Sequence, residues 1–154
     1  MAASSSEMEE KMEELVESLI RKRYKVTEIP KWGPYMRKQW ELSFANHLPD
    51  EEKRSIYLFN HDGACGYLWH LFSYEKRDCM QGPQAEQAFL DESKNQCYIF
   101  HQRLDENLLI ENASSLTAED LKSETDIYVA DIEWNWTFVI THETGWCGPY
   151  FSRK

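Results

Sequence analysis

The sequence predicts an α+β domain: N-terminal helices packed on a mainly antiparallel sheet built from the C-terminal two thirds. Three observations predict it. Apolar residues recur at helical spacing near the start of the chain. After the turn residues Asn60-His61-Asp62-Gly63 the pattern changes to short apolar and aromatic runs. Asp126–Asp131 and Asn135–His142 then form the clearest hairpin candidate, with alternating faces. Helices first and strands later is the order of an α+β chain.

The elements follow in order. Residues 1–6 are small and polar and read as a disordered tail. Residues 8–23 read as an amphipathic helix. Met8, Met12, Leu15, Val16, Leu19 and Ile20 line one face and glutamates fill the other. Early acids and the closing Arg21, Lys22 and Arg23 suit the helix dipole. The stripe can dock on the chain's own core or seam a homodimer.

Pro30 to Pro34 turns the chain, and Pro34 opens a second helix with Met36, Trp40, Phe44 and Leu48 inside and Arg37, Lys38 and Glu41 outside. Pro49 to Glu52 starts a short third helix leading to Ile56, Tyr57 and Phe59. Tyr67–Tyr74 suits a buried strand, although its length also admits a helix. Ala85, Ala88, Phe89 and Leu90 suggest a short helix. Cys97–His101 and Asn107–Glu111 read as strands, and Thr117 caps a helical turn. In the hairpin, Ile127 and Val129 oppose Tyr128, and Trp136, Phe138 and Ile140 share one face. No repeat and no long linker divides the chain, so residues 1–154 form a single domain.

The 154 residues include 42% apolar, 29% charged and 14% aromatic side chains. These figures exclude a wholly disordered or collagen-like chain. No apolar run reaches the roughly 20 residues of a membrane helix, so no membrane partner is expected. The net charge is −10, which disfavours nucleic acid. The charge is uneven. Arg21 to Lys38 holds seven cations and one acid, whereas Leu104 to Glu143 holds ten carboxylates and the single cation Lys122. The basic stretch keeps a local nucleic-acid contact within reach despite the overall sign. Four cysteines are too few for a disulfide scaffold. The N-terminus lacks a signal-peptide pattern. Both point to a reducing cytoplasm.

Two loops carry the ingredients of chemistry. His61-Asp62-Gly-Ala-Cys65-Gly and His142-Glu143-Thr-Gly-Trp-Cys147-Gly each place a histidine and a carboxylate ahead of a glycine-flanked cysteine. Their convergence would build a Cys/His enzyme site or a zinc site from His61, Asp62, Cys65, His142, Glu143 and Cys147. Neither has close Cys-x-x-Cys spacing, and Trp146 stands where a metalloprotease motif needs its second histidine. Buried cysteines beside glycine are more often packing residues. His70 reads as a hydrogen-bonded core histidine. Phosphate-loop and serine-hydrolase motifs are absent, so no cofactor is expected.

The other candidate is a binding surface. Six tryptophans and eight tyrosines exceed the needs of a small core. Trp32, Trp134 and Trp146 lie beside turns, where rings stay partly exposed. Tryptophan and tyrosine anchor interfaces, and Asp126, Asp131, Glu133 and Glu143 bracket the hairpin. Such a surface suits a basic protein partner.

Several segments also carry a resemblance. Ser55-Ile-Tyr-Leu-Phe, Asp62-Gly-Ala-Cys-Gly-Tyr-Leu-Trp-His-Leu-Phe-Ser-Tyr-Glu-Lys, Tyr128-Val, Trp136-Thr-Phe-Val and Thr141-His-Glu with Gly148-Pro-Tyr-Phe resemble a family of small uncharacterised proteins from Bacillus-type bacteria. That resemblance spans most of Trp40 to Phe151 and implies a bacterial cytoplasmic protein, with no reaction attached. The closing Trp-Thr-Phe-Val and Thr-His-Glu are also similar to the last hairpin of some small acidic immunity-type proteins. The expected function is a non-enzymatic protein-binding module of the immunity or inhibitor type. Its surface would be formed by Asp131, Glu133, Trp134, Glu143 and Trp146.

Overall fold

A computed structural model describes residues 4–154. It has the predicted class, with helices on both faces of one antiparallel sheet. Helix α1 spans Ser5–Arg21 and is capped by Ser4, whose side chain accepts from the Glu7 N–H at 3.2 Å. Of the tail expected at 1–6, residues 1–3 lie outside the described residues. Ser4 supplies the cap and residues 5–6 lie in the first turn, because the Ser4 oxygen satisfies one open N–H group of the helix start.

Strand β1 (Val26–Ile29) is followed by α2 (Gly33–Phe44), α3 (Asp50–Ser55), α4 (His70–Ser73), β2 (Met80–Gln81) and α5 (Pro83–Asp91). Then come β3 (Cys97–His101), β4 (Asn107–Ile110), two 3₁₀ turns, β5 (Ile127–Asp131), β6 (Trp136–Ile140) and β7 (Tyr150–Arg153). The sheet order is β1-β4-β3-β5-β6-β7-β2, antiparallel throughout. Most of it is C-terminal, but β1 comes from the basic N-terminal stretch and pairs Val26 with Ile110.

Strand alternation gives the sheet two cores. On one face Ile99, Leu108, Ile127, Val129 and Phe138 meet Met12, Leu15 and Leu19 of α1 and Phe89 of α5. The α1 stripe is thus used on the chain's own core, with Ile20 left 56% exposed. Each step of four residues turns a helix about 40° past a full circle. By Ile20 the row Met8–Met12–Val16 has drifted off the buried face.

On the other face Phe100, Tyr128, Ala130, Val139 and Tyr150 meet Met36, Trp40 and Phe44 of α2 and Leu71 and Phe72 of α4. The Trp40 indole N–H donates to Thr137 Oγ1 at 2.9 Å, and that hydroxyl donates to the Val129 carbonyl at 2.8 Å. The buried Trp40 and Thr137 polar groups are thereby paired.

Two local expectations change, and one strand is added. Tyr67–Tyr74 forms a helical turn, not a strand: Leu71, Phe72 and Tyr74 N–H groups bond back to Leu68, Trp69 and His70 carbonyls. Leu68, Trp69, Leu71 and Phe72 are buried because the sheet lies beneath them. Glu41, placed outside α2, is 5% exposed and bonded to Lys53 Nζ at 2.7 Å. The chain end adds strand β7, which the sequence pattern left unassigned. Among the described residues, no helix is long and apolar enough to cross a membrane.

Candidate functional site

The five predicted binding residues divide between the two ends of strand β6. Asp131, Glu133 and Trp134 form the β5–β6 turn, and Glu143 and Trp146 lie in the loop after β6. The five residues of β6 span roughly 17 Å at about 3.3 Å each, so the two groups do not make one patch. At the first end, Asp131 and Glu133 border a cleft of about 580 Å³ shared with Glu92 and Arg153. Trp134 adopts φ 61° and lays a half-buried ring on Tyr98 and Phe100, at centroid distances of 5.6 and 6.1 Å. Its ring covers the core more than it faces solvent.

At the second end Trp146 is 89% exposed. The loop that carries it is tightly tied. Glu143 N–H donates to Thr141 Oγ1 at 3.0 Å, and Thr144 Oγ1 donates to the Thr141 carbonyl at 2.8 Å. The Thr141 hydroxyl donates to the Cys147 carbonyl. The N–H groups of Trp146 and Cys147 both return to the Glu143 carbonyl, at 2.9 and 2.6 Å. Gly145 sits at φ 100°, a conformation in which a side chain would be strained. The tryptophan is therefore held out by a fixed backbone. Thr144 of the same loop joins Phe138, Ile140 and Pro149 in lining a pocket of about 230 Å³ rimmed by Glu124 and His142.

The two chemistry-bearing loops do not converge as a ligand set. Among the described residues no three His, Cys, Asp or Glu side chains are placed to hold a metal ion. His61 Nε2 lies 3.1 Å from Asp62 within its own loop, and Cys65 is exposed. Burial raises the Cys147 thiol, and Glu143 beside it acts the same way. Burial pushes Cys79 up to about 11 and Cys97 up to about 12. Those three thiols stay protonated near neutrality, which is the opposite of nucleophilic activation.

His142 instead pairs with Asp126, its Nδ1 lying 3.0 Å from both carboxylate oxygens. The Trp69 indole N–H donates to the same carboxylate at 3.0 Å, and the Tyr67 ring packs on the imidazole at 5.0 Å. A carboxylate behind a histidine is how a general base is oriented. Among the described residues, however, no side chain hydrogen-bonds His142 Nε2. His70, expected in the core, is half-buried. Its Nδ1 meets the Tyr57 carbonyl at 2.8 Å, and burial lowers its proton affinity.

One feature escaped sequence reasoning. Arg37 of α2 and Arg103, in the loop after β3, line a cleft of about 570 Å³ together with Gln102. Burial, and secondarily the nearby Arg103, lower Arg37 from its ordinary value, with Asp105 opposing. The two arginines are 66 positions apart, and spacing along the chain gives no sign of their meeting. The one local signal is the pair of glycines that admit them. A Cβ on Gly33 would lie 2.3 Å from the Leu104 carbonyl oxygen and 2.9 Å from the Arg37 guanidinium. One on Gly66 would lie 2.1 Å from the Phe59 carbonyl carbon.

No curated protein and no solved structure matches the chain. A family model described as "Domain of unknown function (DUF4275)" matches residues 12–151, from the first buried methionine of α1 to Phe151 of β7. The match takes in both cores and every candidate residue above, and the chain belongs to that family.

Proposed function

We propose that this chain is a bacterial cytoplasmic protein-binding module, of the immunity or inhibitor type. It would engage a basic protein partner through the loop carrying Glu143 and Trp146. The observation that carries the reading is the 89% exposure of Trp146 on a backbone fixed by its own hydrogen bonds. Leaving an indole in water forgoes the burial that such a side chain normally gains. A loop already ordered loses little freedom on binding, and tryptophan is the commonest interface anchor. The excess of carboxylates between Leu104 and Glu143 adds steering toward a cationic partner.

The test uses the full chain as bait in its native host. A stoichiometric partner is expected, with affinity that falls as salt rises. Trp146→Ala should abolish capture while leaving the melting temperature unchanged, because the ring packs on nothing. Asp131→Asn with Glu133→Gln, at the far end of β6, should leave capture intact. Recovery of no partner, or undiminished capture by Trp146→Ala, would overturn the reading.

A further inference from the structure

We propose that the cleft between α2 and the 59–68 segment binds a small organic anion: a phosphate or carboxylate head on an apolar body. The site is separate from the Trp146 loop and rests on three observations.

The first is charge. In a chain of net charge −10, the cleft wall presents Arg37, Lys38 and Arg103 against the single carboxylate Glu41. Glu41 is already bound by Lys53 at 2.7 Å. Among the described residues, neither arginine has a carboxylate within ion-pair distance. Neutral carbonyls hold them instead. Arg37 Nη1 donates to the carbonyls of His101 at 3.2 Å and Leu104 at 2.8 Å. Arg103 Nη2 donates to the Gly66 carbonyl at 2.8 Å and Nη1 to Asn60 Oδ1 at 3.2 Å, with its guanidinium 4.7 Å from the Tyr67 ring centre. The positions are fixed and the charges are not neutralised. Arg37 Nε and Nη2 keep their N–H groups free of partners among the described residues. A planar guanidinium with spare donors is the group that grips oxyanions.

The second is Gln102, 7% exposed and part of the cleft lining. Its Oε1 accepts from the Leu68 N–H at 3.1 Å and from the Tyr128 hydroxyl. A backbone N–H can only donate, so the amide orientation is fixed and the NH₂ lies on the other side. That NH₂ has no partner among the described residues. The amide nitrogen opens on the cleft as a free donor, and an anion's oxygen would pair it.

The third is the remaining wall. Leu58, Phe59 and Leu68 supply apolar surface beside the cations. At about 570 Å³ the cleft has the size of a small-molecule site. A bare inorganic ion would leave most of it empty.

The experiment titrates the ¹⁵N-labelled full chain with phenyl phosphate, benzoate, inorganic phosphate and neutral benzyl alcohol. The readouts are the side-chain N–H signals of Gln102, Arg37 and Arg103. Saturable shifts are expected from phenyl phosphate or benzoate, and the two arms identify the head group. Either should bind about tenfold or more tightly than inorganic phosphate, because the ring buries apolar area. Gln102→Glu keeps an oxygen for Leu68 and Tyr128 and replaces the donor with an acceptor. It should weaken binding by about tenfold or more. Should that variant fail to fold, Lys38→Glu, on an exposed side chain, carries the same expectation. Absence of saturable shifts, equal shifts from benzyl alcohol, or unchanged affinity in the folded variant would overturn the proposal.

Discussion

The backbone N–H of Arg103 donates to Nδ1 of His101 at 2.9 Å. That nitrogen must be unprotonated, so the buried imidazole is neutral and carries its proton on Nε2. Burial lowers His101 to about 4. Arg103 and Arg37 push the same way, and Asp126 opposes them. The unfolded chain takes up this proton near 6.5. Stability from this residue is therefore complete above about pH 6.5 and lost as pH falls toward 4. Urea titrations across that interval should show the decline. His101→Gln keeps an acceptor for Arg103 and should flatten it.

Glu124 gives the opposite slope. It is 5% exposed, and burial raises it from 4.5 to about 7. Glu14 adds to the shift, and Lys11 and the Ser123 hydroxyl oppose it. As pH rises from 4.5 to 7, the unfolded chain releases the proton first, so folding loses stability across that window. Glu124→Gln should raise the melting temperature above pH 7, by about 2–4 °C per kcal/mol relieved, and change little below pH 4.5. Between 4.5 and 6.5 the two slopes offset each other in the native protein. Each single variant should unmask the slope of the other group.

Lys53 and Glu41 form a buried ion pair at 2.7 Å, 7% and 6% exposed at their side chains. Removing one partner strands the other charge. Lys53→Met should cost about 3–5 kcal/mol in denaturant unfolding. Lys38, 3.5 Å from Glu41, reduces the loss toward the lower figure. Glu41→Leu combined with Lys53→Met should recover most of it, because two apolar side chains need no solvation.

Gly66→Ala tests the close approach that shapes the anion cleft. The added methyl would meet the Phe59 backbone, which has no flexible end to move aside. A loss of about 1–3 kcal/mol is expected, read as a lower denaturant midpoint at unchanged slope.

Local patterns were legible in the sequence, and long-range meetings were not. The α1 stripe and the β5–β6 hairpin were readable because periods of 3.6 and 2 are properties of short segments. Trp136, Phe138 and Ile140 share a face as alternation requires. Strand β1 was missed because four residues, two of them exposed, carry too little apolar pattern. Tyr67–Tyr74 stays open between strand and helix in the sequence because a dense apolar run carries no clear period. The five candidate binding residues read as one surface around the hairpin, whereas the length of β6 holds Asp131, Glu133 and Trp134 at one end and Glu143 and Trp146 at the other. Arg37 was assigned to the outer face of α2. It instead turns toward the carbonyls of His101 and Leu104, acceptors supplied by a distant loop.

The sheet ends on two short strands. At one edge stands β1, four residues between Lys25 and Pro30, with Thr27 and Glu28 exposed. At the other stands β2, two residues long and followed by Gly82 and Pro83. An incoming strand would find few open backbone groups there, and a charge or a proline beside them. Sheets with such edges resist edge-to-edge stacking. The interior strands, buried along nearly their whole length, are thereby kept from seeding fibrils.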